Sequence, residues 1–185
     1  MKTLNLLFVL LLSFGVGSHN LIAQDLINTD TIPGFDSKPN KLKISGVVYE
    51  SDGVTPAKNV ILSIEQADEH GNFNVVDENG KKSVINSGSI KTDDSGMYTF
   101  YTYIPGNDRR FNMQQQLFVF ITEADNTSYE IPSFLFDADP LLSKQCRKRI
   151  SKKGDPSRIL KPTVVDGLNV VQKDIILTSS LEALN

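Results

Sequence analysis

Residues 45–73, SGVVYESDGVTPAKNVILSIEQADEHGNF, constrain the fold more than any other stretch of this chain. An apolar run that ends at Tyr49 is followed by a DG pair, and the next run, VILSIE, places alternate side chains on opposite faces of an extended strand. Asp-Gly pairs favour tight turns because glycine adopts backbone conformations that other residues avoid. The stretch therefore predicts two β-strands with a tight connection.

Later segments carry the same strand signals. Residues 88–106 contain two alternating runs around the turn DDSG, which predicts two strands and a hairpin turn. Residues 117–122, LFVFIT, are typical of a central strand buried on both faces. Residues 129–136 add an extended run in which Pro132 favours an edge or a bulge, and residues 168–177 close the pattern. The chain is thus predicted to be all-β, folded as an antiparallel β-sandwich.

One segment departs from the β pattern. Asp139 can cap a helix, Pro140 suits the first helical position and Gly154 marks an end, so we expect one short helix over residues 141–150. Its exposed side would carry a basic cluster that comprises Lys144, Arg147, Lys148, Arg149, Lys152 and Lys153. The simplest interpretation of this cluster is a solvated helix face. The alternative is a patch for an anionic ligand or a membrane surface, and the sequence leaves the role open.

The N-terminus has the layout of a cleaved secretory signal. Lys2 is its lone cation, residues 6–12 are apolar, and small residues precede Ala23. The alternative is an uncleaved membrane anchor, for which the apolar run is short. Cleavage near Ala23 predicts a secreted or periplasmic protein without stable membrane insertion. The predicted organisation is a signal peptide at 1–23, a flexible N-terminal arm at 24–41, a β-sandwich at 42–178 and a C-terminal tail at 179–185.

Composition narrows the remaining possibilities. A chain of 185 residues with 39% hydrophobic residues suits one folded core. Its formal net charge of −3 gives no indication of a nucleic-acid partner. Cys146 is the only cysteine, so no internal disulfide can form.

Several sequence blocks resemble, in order and spacing, the core of the intradiol ring-cleavage dioxygenases. These blocks are residues 45–73, the run SGSIKTDDSGMYTFYTYIPG, the run FDADPLLSK and the late KDIIL. The first two also match transthyretin-like sandwich domains, so the DPLL block discriminates better. The resemblance implies the β-sandwich of that family.

The family that the chain resembles holds Fe(III) with two tyrosinates and two histidines, and it cleaves the catechol ring between its hydroxyl-bearing carbons. The positions that match the two tyrosines are Phe73 and Asp108, and those that match the two histidines are Gln115 and Leu117. The family's cationic residue before the histidine pair corresponds in position to Asn112, which carries no charge. None of the four ligand positions keeps its ligand. Phenolates and imidazoles are the ligands that such a ferric site requires.

A count of histidines leads to the same expectation. The chain has two, His19 and His70, and His19 leaves with the predicted signal. We therefore expect that iron and ring cleavage have been lost, that no cofactor is bound, and that the domain is a binding or structural module rather than an enzyme. A remnant pocket would include Phe73, Asp108, Gln115 and Leu117, with Arg110 as a polar group.

The partner of such a module would be a small aromatic ligand or an envelope protein. Two further functions stay open. One is an active dioxygenase with the atypical ligands Tyr101, Tyr103, Asp108 and His70. The other is a transthyretin-like envelope-assembly domain that acts through its sheet edges.

Overall fold

The computed structural model describes residues 26–178, so the predicted signal peptide and C-terminal tail lie outside the described residues. The described part contains thirteen strands and one α-helix. In chain order they are β1 (Thr29–Thr31), β2 (Lys41–Tyr49), β3 (Ile61–Gln66), β4 (Val75–Glu78), β5 (Lys81–Val84), β6 (Ser87–Lys91), β7 (Met97–Tyr103), β8 (Gln116–Thr122), β9 (Ser128–Phe136), α1 (Lys144–Lys153), β10 (Ile159–Leu160), β11 (Thr163–Val165), β12 (Leu168–Gln172) and β13 (Ile175–Ile176).

Two sheets pack face to face. The first has the order β1-β7-β2-β12-β11, with β13 also paired to β2, and the second has the order β10-β9-β8-β3-β6. Strands β4 and β5 form a separate hairpin. The core lies between the two sheets, where alternate side chains of β2, such as Leu42 and Ile44, meet alternate side chains of β8, such as Val119. The predicted all-β sandwich with one short helix is confirmed, although β2 pairs antiparallel with β7 and parallel with β12 and β13.

The hairpin predicted in residues 88–106 is wrong, and the two strands predicted in residues 45–73 form but do not pair with each other. Strands β2 and β3 belong to different sheets, and so do β6 and β7. The DG turn itself forms, because the Asp52 carboxylate accepts the backbone N–H groups of Val54 and Thr55 at 2.8 and 2.9 Å. The chain then crosses to the other sheet. Strand periodicity predicts which face of a strand is buried, whereas the partner strand depends on how the two sheets pack.

Residues 26–41 do not form the flexible arm that their polar sequence predicts. Strand β1 pairs in parallel with β7, and Ile32 is 1% exposed within the core. The Asp30 carboxylate accepts the backbone N–H of Ser89 at 2.8 Å, which ties the arm to β6 in the second sheet. One buried apolar side chain, backbone pairing and a few scattered polar and aromatic contacts hold the segment, and none of these produces a periodic sequence signal.

Helix α1 begins three residues later than predicted. Its N-cap is Ser143, whose hydroxyl accepts the backbone N–H of Cys146 at 3.1 Å, and Gly154 ends it as expected. Leu142 and Ile150 pack with Leu135 in a small second core, which fixes the helix against β9. Within residues 26–178, no helix has the length and apolar character that a membrane crossing requires.

The region around β8 agrees with the sequence in part. The strand is central, between β3 and β9, and the predicted irregularity at Pro132 is present as a register shift between the pairs Leu117–Phe134 and Val119–Ile131. Burial on both faces is wrong. Leu117 and Val119 are fully buried, whereas the intervening Phe118 is only partly covered.

Candidate functional site

The loops after β3, β7 and β9 meet at one end of the sandwich, here called the site end. Strand β8 begins there, since Gln66 at the end of β3 pairs with Leu117, and Leu135 near the end of β9 pairs with Gln116. Gln66 also ties in the other sheet, because its side-chain amide donates to the carbonyl of Tyr103 at 3.1 Å. The four predicted ligand positions lie in these loops or at the start of β8.

The loop after β3 is held tightly against the loop after β7. The Asp68 carboxylate accepts the backbone N–H groups of His70 and Asn72 at 2.9 and 2.8 Å. Burial raises the pKa of Asp68, but these hydrogen bonds outweigh it and hold the pKa below its usual value. The backbone N–H of Gly106 donates to the carbonyl of Asp68 at 2.8 Å, and a Cβ at Gly71 would lie 2.6 Å from the carbonyl oxygen of Asn107. This approach brings the segments that hold Phe73 and Asp108 together.

Phe73 packs on the outer face of the second sheet. Its ring meets that of Phe118 edge to face, with the ring centroids 5.6 Å apart. The contact is purely aromatic, because neither ring carries an oxygen. No local sequence pattern predicts Phe118 as a neighbour of Phe73, because the two residues are far apart in the chain.

Leu117 does not belong to the same surface as Phe73. Its side chain is 0% exposed and lies in the core between the sheets, and successive side chains of a strand point to opposite faces. Leu117 as a wall of a remnant pocket is therefore a wrong prediction. At the start of β8, Gln116 and Phe118 face the same side as Phe73. Gln115 precedes the strand, and its backbone N–H donates to a carboxylate oxygen of Asp139 at 2.8 Å.

Asp108 is already paired with Arg110. The guanidinium Nε and Nη2 atoms donate to the two carboxylate oxygens at 3.0 and 2.7 Å, and the backbone N–H of Arg110 adds a contact at 2.8 Å. These bonds to Arg110 hold the pKa of Asp108 below its usual value. The backbone of Asp108 is also bridged to Met113. The two polar groups predicted for the remnant pocket, Asp108 and Arg110, thus lie together. Their hydrogen bonds are directed at each other.

Asp139 was predicted from the sequence to cap the helix, and this prediction is wrong. It is 2% exposed and caps no helix. Its carboxylate accepts the side-chain amide of Asn107 at 2.9 Å, the backbone N–H of Leu141 at 3.0 Å and the backbone N–H of Gln115 at 2.8 Å. One buried acid thereby connects the loops after β7 and β9 to the start of β8. Its position at the head of the DPLL block was the available signal.

A groove of about 780 Å³ opens beside the site end, against helix α1. Asn112, which matches the family's cationic position, lies in its lining. None of the four predicted ligand positions lines it.

The four atypical ligands suggested for an active dioxygenase do not form one cluster. Tyr101 packs edge to face on Phe35, with the ring centroids 5.8 Å apart. Tyr103 is fully buried, its hydroxyl donates to the carbonyl of Ala67, and burial raises its pKa to about 12. His70 is exposed. In the part of the chain from 26 to 178, no three His, Cys, Asp or Glu side chains are grouped as metal ligands.

Comparisons with known proteins agree with this architecture. No protein-family model and no curated protein sequence matches the chain. Among solved structures, it is similar to the dioxygenase domain of a dioxygenase and carbohydrate-binding fusion protein from Streptomyces sp. SirexAA-E, with 19% identity, a TM-score of 0.60, and coverage of 84% of this chain and 94% of that one. The intradiol ring-cleavage dioxygenase of Tetranychus urticae gives 15% identity, a TM-score of 0.59 and coverage of 86% and 90%.

A third similar structure is the wild-type catechol 1,2 dioxygenase from Acinetobacter radioresistens, with 13% identity and a TM-score of 0.62. The match covers 87% of this chain but 60% of that enzyme. The chain therefore has the fold of the intradiol ring-cleavage dioxygenases, and the resemblance predicted from its sequence blocks is confirmed for the fold.

Proposed function

We propose that the chain is an exported domain with the intradiol dioxygenase fold that has lost ferric iron and ring cleavage, and that it acts as a binding or structural module. The observation that carries the proposal is the contact between Phe73 and Phe118, whose ring centroids lie 5.6 Å apart. Phe73 is the residue that the sequence resemblance matches to the family's first tyrosinate, and its aromatic partner also lacks an oxygen. A hard ferric ion gains nothing from such a pair.

The other ligand positions support the same proposal. Asp108 carries a carboxylate whose oxygens accept hydrogen bonds from Arg110, so a metal would have to displace a charge-assisted pair. Leu117 is an apolar side chain in the core. Gln115 contributes a backbone N–H to Asp139, and its side-chain amide is a weak ligand.

The loss of iron is tested on the purified chain after incubation with iron under oxygen. Tyrosinate bound to ferric iron is visibly coloured, so we expect a colourless protein without stoichiometric iron and without catechol-dependent oxygen uptake. The Streptomyces dioxygenase domain, treated in the same way, is the positive control. A coloured chain that takes up oxygen with catechol would contradict the proposal, and the variants Tyr101→Phe and Tyr103→Phe would then identify the phenolate responsible.

The partner proposed for the module is a small aromatic molecule or an envelope protein. A small aromatic molecule would meet Phe73 and the guanidinium of Arg110, since aromatic rings and a few polar groups are what such ligands need. A catechol-dependent rise in melting temperature that Phe73→Ala abolishes would support this partner. No shift with catechol, together with capture of a defined envelope protein, would favour the second.

Assembly through a sheet edge is favoured by one specific feature. Strand β11 is the last strand of the first sheet, and its Val164 and Val165 are 70% and 52% exposed. An apolar edge strand offers unpaired backbone groups to another strand. Val164→Lys should reduce self-association or envelope-protein capture. An unchanged sedimentation profile and an unchanged set of captured proteins would count against this function.

Export is proposed from the N-terminal sequence alone. The chain recovered outside the cytoplasm of its bacterial host should begin near Gln24 or Asp25. Mass spectrometry of the intact protein distinguishes this form from one that retains Met1. Retention of Met1 in a membrane fraction would favour the uncleaved anchor.

A further inference from the structure

The positive charge of this chain is concentrated in one segment. Residues 144–161 hold eight Lys and Arg residues and one acid, Asp155, in a chain whose formal net charge is −3. That single acid is already paired, since its carboxylate lies 3.0 Å from the ammonium of Lys173. The segment therefore has no acid of its own to neutralise the cations.

Helix α1 arranges these cations unfavourably for its own stability. Its sequence KQCRKRISKK contains no acid, and Lys148 and Lys152, like Arg149 and Lys153, are four residues apart. Side chains at that spacing are neighbours on a helix surface, and like charges there repel each other. A helix face that serves only solubility more often mixes the two signs.

One of the six helix cations is paired with an acid, and the other five are not. Arg147 pairs with Asp137, and its Nε donates to the carbonyl of Leu142 at 3.1 Å. Within residues 26–178, the ion pairs are those of Lys38, Lys58, Arg110, Arg147 and Lys173. The five remaining helix cations have no acid within 4.0 Å in that range; they are Lys144, Lys148, Arg149, Lys152 and Lys153.

Four of these cations, all except Lys144, line one groove, here called the basic groove, with a volume of about 780 Å³. Its opposite wall contains Asn112 and Gln114, whose amides can donate hydrogen bonds. Gln114 is held in place because its Nε2 donates to the carbonyl of Leu141 at 3.2 Å.

A fifth cation lies at the end of the basic groove. A neighbouring cavity of about 330 Å³ shares Gln114, Arg149 and Lys153 with the groove and adds Arg158. The Nε atom of Arg158 is buried without a hydrogen-bond partner among the described residues. The positive charge of Arg158 adds to the field that an anion at this end of the groove would meet.

We propose that the basic groove binds a soluble polyanion that carries two or more phosphate groups. Three of its four cations are lysines, which act as mobile point charges, whereas a single carboxylate is better recognised by a fixed arginine fork. Cations four residues apart are separated by about 6 Å along the helix, which suits a ligand with repeated charges. The concave shape favours a soluble ligand over a flat membrane surface. This inference goes beyond the proposed function and does not depend on it.

The test is a calorimetric titration of the purified chain with tripolyphosphate. The variant Lys148→Gln/Lys152→Gln removes two groove cations, and Lys81→Gln/Lys82→Gln removes the same charge from the exposed hairpin strand β5. We expect the groove variant to bind at least about tenfold more weakly and the hairpin variant to stay within about twofold. Orthophosphate should bind more weakly than tripolyphosphate, and salt should weaken both. Circular dichroism and melting verify that both variants are folded.

Cys146 provides an independent readout because it lines the basic groove and is the only cysteine. Tripolyphosphate should slow its alkylation by uncharged iodoacetamide in the wild type and not in Lys148→Gln/Lys152→Gln. The proposal is overturned by absent tripolyphosphate binding, by equal losses in the two variants, or by unchanged alkylation at saturation. Binding to vesicles of anionic lipid without binding to tripolyphosphate would also overturn it, in favour of a membrane surface.

Discussion

Two glycines allow the loops of the site end to touch. Gly71 has a φ of +86°, and a Cβ there would lie 2.6 Å from the carbonyl oxygen of Asn107. At Gly106 a Cβ would lie 2.4 Å from the backbone nitrogen of Gly71. A side chain at either position would separate the loops. A positive φ favours glycine at Gly71, whereas at Gly106 glycine is required only because the loops lie so close together.

Comparing Gly71→Ala with Gly80→Ala separates the cost of backbone strain from the cost of steric overlap. Gly80 has a similar φ of +82°, but a Cβ there meets nothing within 4 Å. We expect Gly80→Ala to lower the free energy of unfolding by about 1 kcal/mol and Gly71→Ala by about 3 kcal/mol, because overlap adds to the backbone strain. Urea unfolding measures both values. Equal losses would mean that the loops can move apart without cost.

Asp139→Ala should be among the more destabilising changes at the site end. The substitution leaves Asn107, Leu141 and Gln115 without their buried acceptor. We expect the free energy of unfolding to fall by about 3 kcal/mol in urea denaturation. Asp94→Ala is the control, because the Asp94 side chain is 94% exposed and its loss should cost less than about 1 kcal/mol. A similar small loss for Asp139→Ala would refute its role as the connector of three segments.

Strand β1 is docked on β7, yet its sequence gives little indication of this. Its neighbours Pro33, Gly34 and Ser37 favour a loop, and Ile32 is the one side chain that enters the core. Pairing with β7 adds backbone contacts, which every sequence can offer, and the Asp30 carboxylate adds one side-chain contact to Ser89. The docking of this segment was therefore visible only in the tertiary structure.

Ile32→Ala tests whether the docked segment contributes to the stability of the domain. Removing a fully buried side chain leaves a cavity, and we expect the free energy of unfolding to fall by about 3 kcal/mol. Ile27→Ala is a matched control, since Ile27 is 66% exposed and its loss should change stability by less than about 0.5 kcal/mol. Urea unfolding compares the two. Equal small effects would restore the interpretation of a loose arm.

Buried tyrosines predict the alkaline behaviour of the whole molecule. Burial raises the pKa values of Tyr98 and Tyr129 and raises that of Tyr103 from 10.0 to about 12. In the unfolded chain these phenols ionise near pH 10, so the folded state binds the protons more tightly. Their contribution to stability is complete below about pH 10 and is lost as the pH rises toward 12.

We therefore expect cooperative unfolding in this alkaline range, in which tyrosinate absorbance rises together with the loss of the circular dichroism of the sheets. The absence of tryptophan keeps the tyrosinate signal clean. Tyr103→Phe should move the midpoint to higher pH, because one of the linked ionisations is removed. Tyrosine ionisation that is complete before the sheets unfold would contradict this prediction.

The sequence by itself determined the main strands of the two sheets, the sandwich class and the absence of the expected ligand types at the matched positions. These are local properties: alternation in β2 and β8 follows from which side chains are apolar, and Phe73 lacks a phenolic oxygen in any fold. Even the bulge at Pro132 is local, because proline cannot donate to the strand ladder.

Only the tertiary structure decided which strands pair, which residues meet at the site end and where the free charges gather. The partners of β2 and β3 depend on the packing of two whole sheets, and Asp139 reaches its donors across three separate segments. Phe118 replaced Leu117 as the neighbour of Phe73 because a one-residue change along a strand reverses the face. Contacts between residues distant in sequence carry no local periodic signal, so they follow from the packing of the complete fold.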